Sequence, residues 1–254
     1  MNNIISIKNV YKIYQMGQEK VSALQGVNLD IAEGAFCCLL GSSGSGKSTL
    51  LNMMAGLEKP SSGEIIIKGR HVEKMSEEKL ALFRQKHIGF IFQAYNLLPT
   101  RTALENVEMP MIFQGKPRKI RQKMAADMLT AVGLGERLHH RPSQMSGGQQ
   151  QRVGIARAFV SNPEIIFADE PTGNLDTKTT DEVMHLMTRI ARANRQTLIL
   201  VTHEPEIAGY MNQVVTIRDG CVESEKFNEI TKINEPKDPN EVNETNEYAE
   251  MKGA

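Results

Sequence analysis

The sequence carries no charge excess, no paired cysteine set and no long apolar run, and each absence removes a class of function. Lys+Arg and Asp+Glu both number 30, so nothing marks a polyanion-binding surface, which argues against nucleic acid as a partner. The 3 cysteines are an odd number. Cys37 and Cys38 are adjacent on an expected strand and point to opposite faces, so they read as buried small hydrophobes rather than a bridge or a metal pair, while Cys221 stands alone. That usage suits a reducing, cytosolic compartment. No stretch approaches the roughly 20 apolar residues of a membrane-spanning helix, and the opening "MNNIISIKNV" has no basic segment followed by an apolar core. The chain is expected in the cytoplasm, where any membrane task requires docking on another protein.

What is present is enough chain, 254 residues, for one substantial α/β domain or a domain with an inserted subdomain. The runs "IISIKNV" and "GVNLDI" predict an antiparallel edge sheet ahead of a first buried strand over Phe36–Leu40. The segment "KSTLLNMMAGL" has helical apolar spacing at Leu50, Leu51, Met54 and Leu57, with Gly56 placed to help end the helix. "SSGEIIIKG" reads as a hairpin returning to the edge sheet. Residues from about 77 to 150 are helical in pattern, apart from "IGFIF". After "EIIFADE", a buried strand ending in acids, a helix starts near Thr177 with Val183, Met187 and Ile190 on one face. "TLILVTH" is another buried strand, and "QVVTIRDGCVESE" a terminal hairpin turning at Asp219 and Gly220. Strands alternating with helices predict a mostly parallel sheet with ligands at the carboxyl ends of its strands. From about 228 to 254 the sequence is polar and acidic, and reads as a flexible tail.

"GSSGSGKST" at residues 41–49 fits the pattern G-x-x-x-x-G-K-[ST], with a strand before it and a helix after it. Its residues Gly41, Ser42, Ser43, Gly44, Ser45 and Gly46 let the backbone curl until successive N–H groups face phosphate oxygens, and the helix N-terminus adds positive potential. Lys47 reaches the β- and γ-phosphates, Ser48 offers a hydroxyl to Mg²⁺, and Thr49 is placed for the α-phosphate. "IIFADE" then delivers two acids beside them. Asp169 holds Mg²⁺ through water, and Glu170 orients and deprotonates the attacking water. A nucleotide and Mg²⁺ are the expected cofactors, and the family resemblance carried by a third motif implies that the nucleotide is ATP.

With "MSGGQQQRVGIARAF", the sequence closely resembles the ABC-type ATPase family over roughly residues 4–225. The resemblance implies an α/β P-loop NTPase cassette with a mostly parallel core sheet, an antiparallel β edge subdomain and an inserted helical subdomain, spanning residues 1–227. It also implies that two copies pair head to tail, so that Ser146, Gly147, Gly148 and Gln149 bind the nucleotide held by the opposite chain. Glycine N–H groups at a helix start supply the anion site this requires. By the same resemblance Gln93 senses Mg²⁺ and couples to the transport subunit. Asp176 contacts the partner chain, His203 stands near the γ-phosphate, and Tyr14 stacks on adenine, with Tyr11 as the poorer candidate. Ser42 stands where many relatives have proline and Met145 where leucine is usual; neither change removes a chemical group. His71, His87, His139, His140 and His185 form no ligand-like constellation and read as surface residues.

Within the family, "GFIFQAYNLLPTRTALENVEMPM" together with "ADEPTGNLD" looks most like the branch of lipoprotein-releasing LolD and macrolide- and peptide-exporting MacB cassettes. This implies the ATPase subunit of an exporter or extractor, peripheral on the inner face of the membrane. Its partners would be a second copy and a separate membrane permease, with a periplasmic or extracellular adaptor as a further possible component. The stretch from Gln93 to about Met111 would receive the permease. The basic run "GKPRKIRQK" at 115–123 reads as a solvated helix face. A soluble ABC protein of translation typically carries two cassettes in one chain, and a DNA-maintenance ATPase splits its motifs with a long heptad insertion. A P-loop kinase lacks the signature. None of these features fits the sequence.

Overall fold

Apolar pattern divides the strands between two sheets. A computed structural model describes residues 2–228; the acidic segment beyond, expected to be a tail, lies outside the described residues. The long strands β1 (Asn3–Met16) and β2 (Glu19–Ala32) pair antiparallel, and β4 (Ser62–Ile67) and β5 (Arg70–His71) extend that sheet on the β1 side. The second sheet is built on β3 (Phe36–Leu40), β6 (Ile88–Phe92), β7 (Ile165–Asp169) and β8 (Thr197–Thr202), with β9 (Gln213–Arg218) and β10 (Cys221–Phe227). Its order is β10-β9-β3-β8-β7-β6, and every pairing in it is parallel except the β9–β10 hairpin.

The parallel strands "FCCLL", "IIFAD" and "TLILVT" are near-continuous apolar runs because both faces of this sheet are covered. Alternate residues serve opposite faces. Cys38, Ile166, Ala168 and Leu200 pack with helices α3 (Ala103–Phe113), α4 (Arg118–Ala131), α5 (Gly147–Phe159) and α6 (Thr177–Ala193). Cys37, Phe167, Ile199 and Val201 pack with α1 (Lys47–Met54), α2 (Glu77–His87) and the antiparallel sheet. Both of these cysteines are buried and free, on opposite faces as the alternation requires.

Ile88–Phe92, the one strand expected within the mostly helical range, pairs with β7 as the outer strand of the parallel sheet. Two details depart from the sequence reading. Leu57 lies beyond the end of α1 and is half exposed, because the chain turns out of the helix at Gly56, φ 66°. His87 is not a surface residue. It is buried at the end of α2 against the Phe83 ring, with Nδ1 2.8 Å from Glu164 Oε2. The run at 115–123 opens α4, where Arg118, Lys119 and Lys123 are exposed and Arg121 Nε donates to Glu108 Oε2 at 3.0 Å.

Candidate nucleotide-binding site

The loop between β3 and α1 depends on glycine at two places. A Cβ at Gly41 would overlap the Ile217 carbonyl of β9. Gly46 has φ +100° and would bring a Cβ to 2.5 Å from the Ala23 carbonyl, so it needs both the left-handed region and the missing side chain. Gly46 is also the N-cap of α1 and supplies no side-chain cap, and no acidic residue stands in the first turn. The first N–H groups of that helix are thus left for an anion.

Lys47 is buried at the start of α1, and its ammonium donates to the Ser42 carbonyl at 2.6 Å. Burial lowers its pKa, and the charges of Glu170 and Asp169 work against that. Ser48 Oγ donates to Asp169 Oδ1 at 3.0 Å. Burial raises the Asp169 carboxyl, and the neighbouring Glu170 adds to this, while the Ser48 hydrogen bond and Lys47 oppose it. Glu170 follows at the end of β7, with Oε1 3.2 Å from His203 Nδ1 at the end of β8. These five residues come from three neighbouring strand ends and form one cluster.

Gln93 adjoins the cluster through the turn after Glu170. Its carbonyl accepts from Asn174 Nδ2 at 3.1 Å, and its Nε2 stands 2.8 Å from where a Cβ on Gly173 would lie. Tyr14 reaches the loop helix from β1, with its hydroxyl donating to Glu58 Oε2 at 2.7 Å and hydrogen-bonding Thr49. Burial first, and then Glu58, raises its pKa. The Lys12 ammonium lies 5.0 Å from its ring centroid. Tyr11 is placed elsewhere, with its hydroxyl over Gly26.

Ser146, Gly147, Gly148, Gln149 and Asp176 gather in a second place. They line a cavity of about 570 Å³ together with Arg152, Thr179 and Glu182. Ser146 caps α5 reciprocally with Gln149: the Gln149 N–H donates to Ser146 Oγ at 3.3 Å, and the Ser146 N–H to Gln149 Oε1 at 3.0 Å. Gly148 faces the Thr179 methyl, 2.8 Å from where its Cβ would lie, and Gly147 faces the Tyr95 hydroxyl. Asp176 caps α6 through the Thr179 N–H at 3.0 Å and the Thr179 hydroxyl at 2.7 Å, and those two bonds hold its carboxyl below the usual range. Among the described residues none of these five hydrogen-bonds to residues 41–49.

Two polar residues of α5 escaped the sequence reading. Gln151 is fully buried, and its Nε2 donates to the Pro171 carbonyl at 2.5 Å. Arg157 donates to the carbonyls of Tyr95 at 2.8 Å and Asn96 at 2.5 Å, both residues having positive φ. In "GGQQQR" nothing distinguishes Gln151 from its neighbours except helical phase, which points it inward.

A parallel sheet that ends in a glycine cradle, a lysine, a hydroxyl and two acids defines a P-loop nucleotide hydrolase. The ABC transporter family pattern matches residues 24–173. The lipoprotein-releasing system ATP-binding protein LolD of Geobacter metallireducens is 46% identical over 222 residues, 87% of this chain and 99% of that one. The macrolide export ATP-binding/permease protein MacB of Hyphomonas neptunium is 44% identical over 226 residues, 89% of this chain but 35% of that longer protein. Among solved structures, the dimeric post-hydrolysis state of the ATP-binding cassette MJ0796 bound to ADP and Pi superposes with TM-score 0.82. It shows 43% identity, covering 88% of this chain and 98% of that one. The chain belongs to the ABC transporter family, as one of its ATP-hydrolysing cassettes.

Proposed function

We propose that this cassette is the motor of a LolD- or MacB-type exporter or extractor, and that two copies close head to tail around two ATP molecules to drive a separate membrane permease. One observation carries the pairing: the Ser146 cluster opens into its own cavity and has no hydrogen bond to the loop at 41–49. Among the described residues no acid hydrogen-bonds the glycine N–H groups at this helix start, and such a start is an anion site. A second copy, turned head to tail, supplies the phosphates.

Within each half-site, residues 41–49 hold the phosphates, Tyr14 stacks on the base, and Lys47 carries the compensating charge. Glu170 takes the proton from water, and His203 holds that carboxylate and meets the γ-phosphate. The donor set at Ser48 and Asp169 is one hydroxyl and one carboxylate, with no soft ligand. That set suits Mg²⁺, which binds few protein oxygens and takes the rest from phosphate and water. Ser48, Asp169 and Gln93 would hold it, and when bound it neutralises charge on the phosphates.

The permease would seat on an apolar cleft of about 690 Å³ whose lining includes Leu82, Phe90, Phe92, Met109 and Phe113. Leu82 and Phe113 are 65% and 71% exposed, a large apolar surface for a chain standing alone. The cleft reaches Phe92, next to Gln93, which connects the docking face to the catalytic cluster. No described helix is long and apolar enough to cross a membrane. As the motor of a membrane permease, the chain would work at the inner face through this contact. An adaptor beyond the membrane would meet the permease rather than this chain.

Ser146→Arg tests the pairing. Hydrolysis should vanish while ATP binding to the single chain persists, measured by equilibrium binding of a labelled nucleotide. Retained turnover in this variant would remove the shared site.

A further inference from the structure

Glu170 stands in a backbone conformation that its residue type disfavours. Its φ is +43°, where few non-glycine residues lie, and Pro171 presses the preceding residue toward extended backbone. Such a conformation persists only where the surroundings over-determine it. Three contacts do so here. The Glu170 N–H donates to the Val201 carbonyl of β8 at 3.0 Å, and the Gly173 N–H donates to the Glu170 carbonyl at 3.1 Å. The third comes from a different layer of the molecule: Gln151 Nε2, on α5, donates to the Pro171 carbonyl at 2.5 Å.

Gln151 is unusual for its setting. It is 0% exposed on a helix whose neighbouring inward residues, Val153, Ile155 and Phe159, are apolar. Its Oε1 has no partner among the described residues. A buried amide with one end unpaired is a costly choice for packing. What it provides is the single bond to the turn of Glu170.

We infer that Gln151 is a positioning residue: through the Pro171 carbonyl it ties the helix that begins at Ser146 to the turn that aims the Glu170 carboxylate. This rests on the reading of Glu170 as the group that takes the proton from water. In the head-to-tail pair, Ser146 and Gly147 engage one nucleotide while Glu170 of the same chain acts on the other. Gln151 therefore couples the two nucleotides inside each chain. A displacement of α5 on binding one ATP is transmitted to the carboxylate serving the second.

Gln151→Met keeps the side-chain volume close and removes the donor. The expected result is a kcat lowered about tenfold with KM for ATP within about twofold, since the bond acts on orientation and not on nucleotide contact. In the nucleotide-free chain, hydrogen exchange at the Gly173 N–H should quicken, because the turn it closes has lost an anchor. Gln151→Glu gives a sharper readout. Its carboxyl donates to the Pro171 carbonyl only while protonated, and burial favours that form. Its kcat relative to the unsubstituted chain should therefore rise as pH falls, whereas a packing role would leave the ratio flat. An unchanged kcat in Gln151→Met, a change in KM alone, or a flat ratio in Gln151→Glu overturns the inference. Glu170→Gln is measured alongside. If it hydrolyses ATP normally, the reading of Glu170 falls and the inference with it. If it is inactive while Gln151→Met is normal, the inference alone falls.

Discussion

At the scale of single residues, burial pushes Asp169 and Lys47 toward neutrality, and each is kept charged partly by the other. The cluster is thus poised to exchange partners when a polyanion enters, because Lys47 spends its donor on the Ser42 carbonyl and Asp169 accepts from Ser48. Glu170 is differently placed: its carboxylate meets only His203 among the described hydrogen bonds, leaving one oxygen for water. Glu170→Gln should lower hydrolysis by roughly 100-fold or more, the usual worth of a general base, with ATP binding intact by nucleotide titration. Gly46→Ala should fail earlier in the sequence of events. The strain at φ +100° and the clash with the Ala23 carbonyl should cost about 1–3 kcal/mol of stability, read from urea unfolding, and remove ATP binding.

At the scale of elements, α3, α5 and α6 begin with side-chain caps, and those of α5 and α6 are residues of the proposed partner-facing cluster. The α3 start is a reciprocal box in which the Glu105 N–H donates to Thr102 Oγ1 at 3.2 Å and the Thr102 N–H to Glu105 Oε2 at 2.8 Å. α5 and α6 start at Ser146 and Asp176. The Thr102 backbone bond is the main reason the Glu105 carboxyl titrates low, and the Thr179 hydroxyl the main reason Asp176 does. Both groups bind protons less readily folded than unfolded, so the stability they lend is complete above the unfolded carboxylate pKa of about 4. It is lost as pH falls through their lower folded values. Urea midpoints measured from pH 6 down to pH 3 should fall over that window. Thr102→Ala should itself cost about 1 kcal/mol but keeps the backbone bond to Glu105, whereas in Glu105→Gln the part of that fall owed to Glu105 should disappear.

At the scale of the whole molecule, the sheet places the proposed catalytic cluster at its strand ends, while the helical layer carries the Ser146 cluster in a separate cavity. In the proposed function neither is a complete site. The proposed pair makes two sites from four incomplete halves, and hydrolysis should then depend on chain concentration. With ATP, Glu170→Gln should run as a dimer in size-exclusion chromatography at concentrations where the nucleotide-free chain is monomeric. Ser146→Arg in that background should restore the monomer. A dimer that forms without ATP, or survives Ser146→Arg, would place the interface elsewhere.

The loop at 41–49, the acids at 169 and 170 and the starts of β3 and α6 were legible in the sequence because each is a local matter: a glycine where φ must be positive, an apolar run of strand length, a capping acid; His203 came from the family resemblance alone. The antiparallel edge sheet was legible from its strands too. What only the tertiary structure decided were matters of which segments meet. "IGFIF" sits in a helical stretch, and its place in the parallel sheet depends on β7 lying free to pair with it. His87 closes the charged stretch "RQKH", where nothing local marks it for burial, and its partner Glu164 lies 77 residues away. Gln151 and Pro171 lie 20 residues apart on different layers, and no local rule joins them. A residue's own conformational preference acts over its neighbours in the chain, whereas a buried hydrogen bond exists only once the layers have packed.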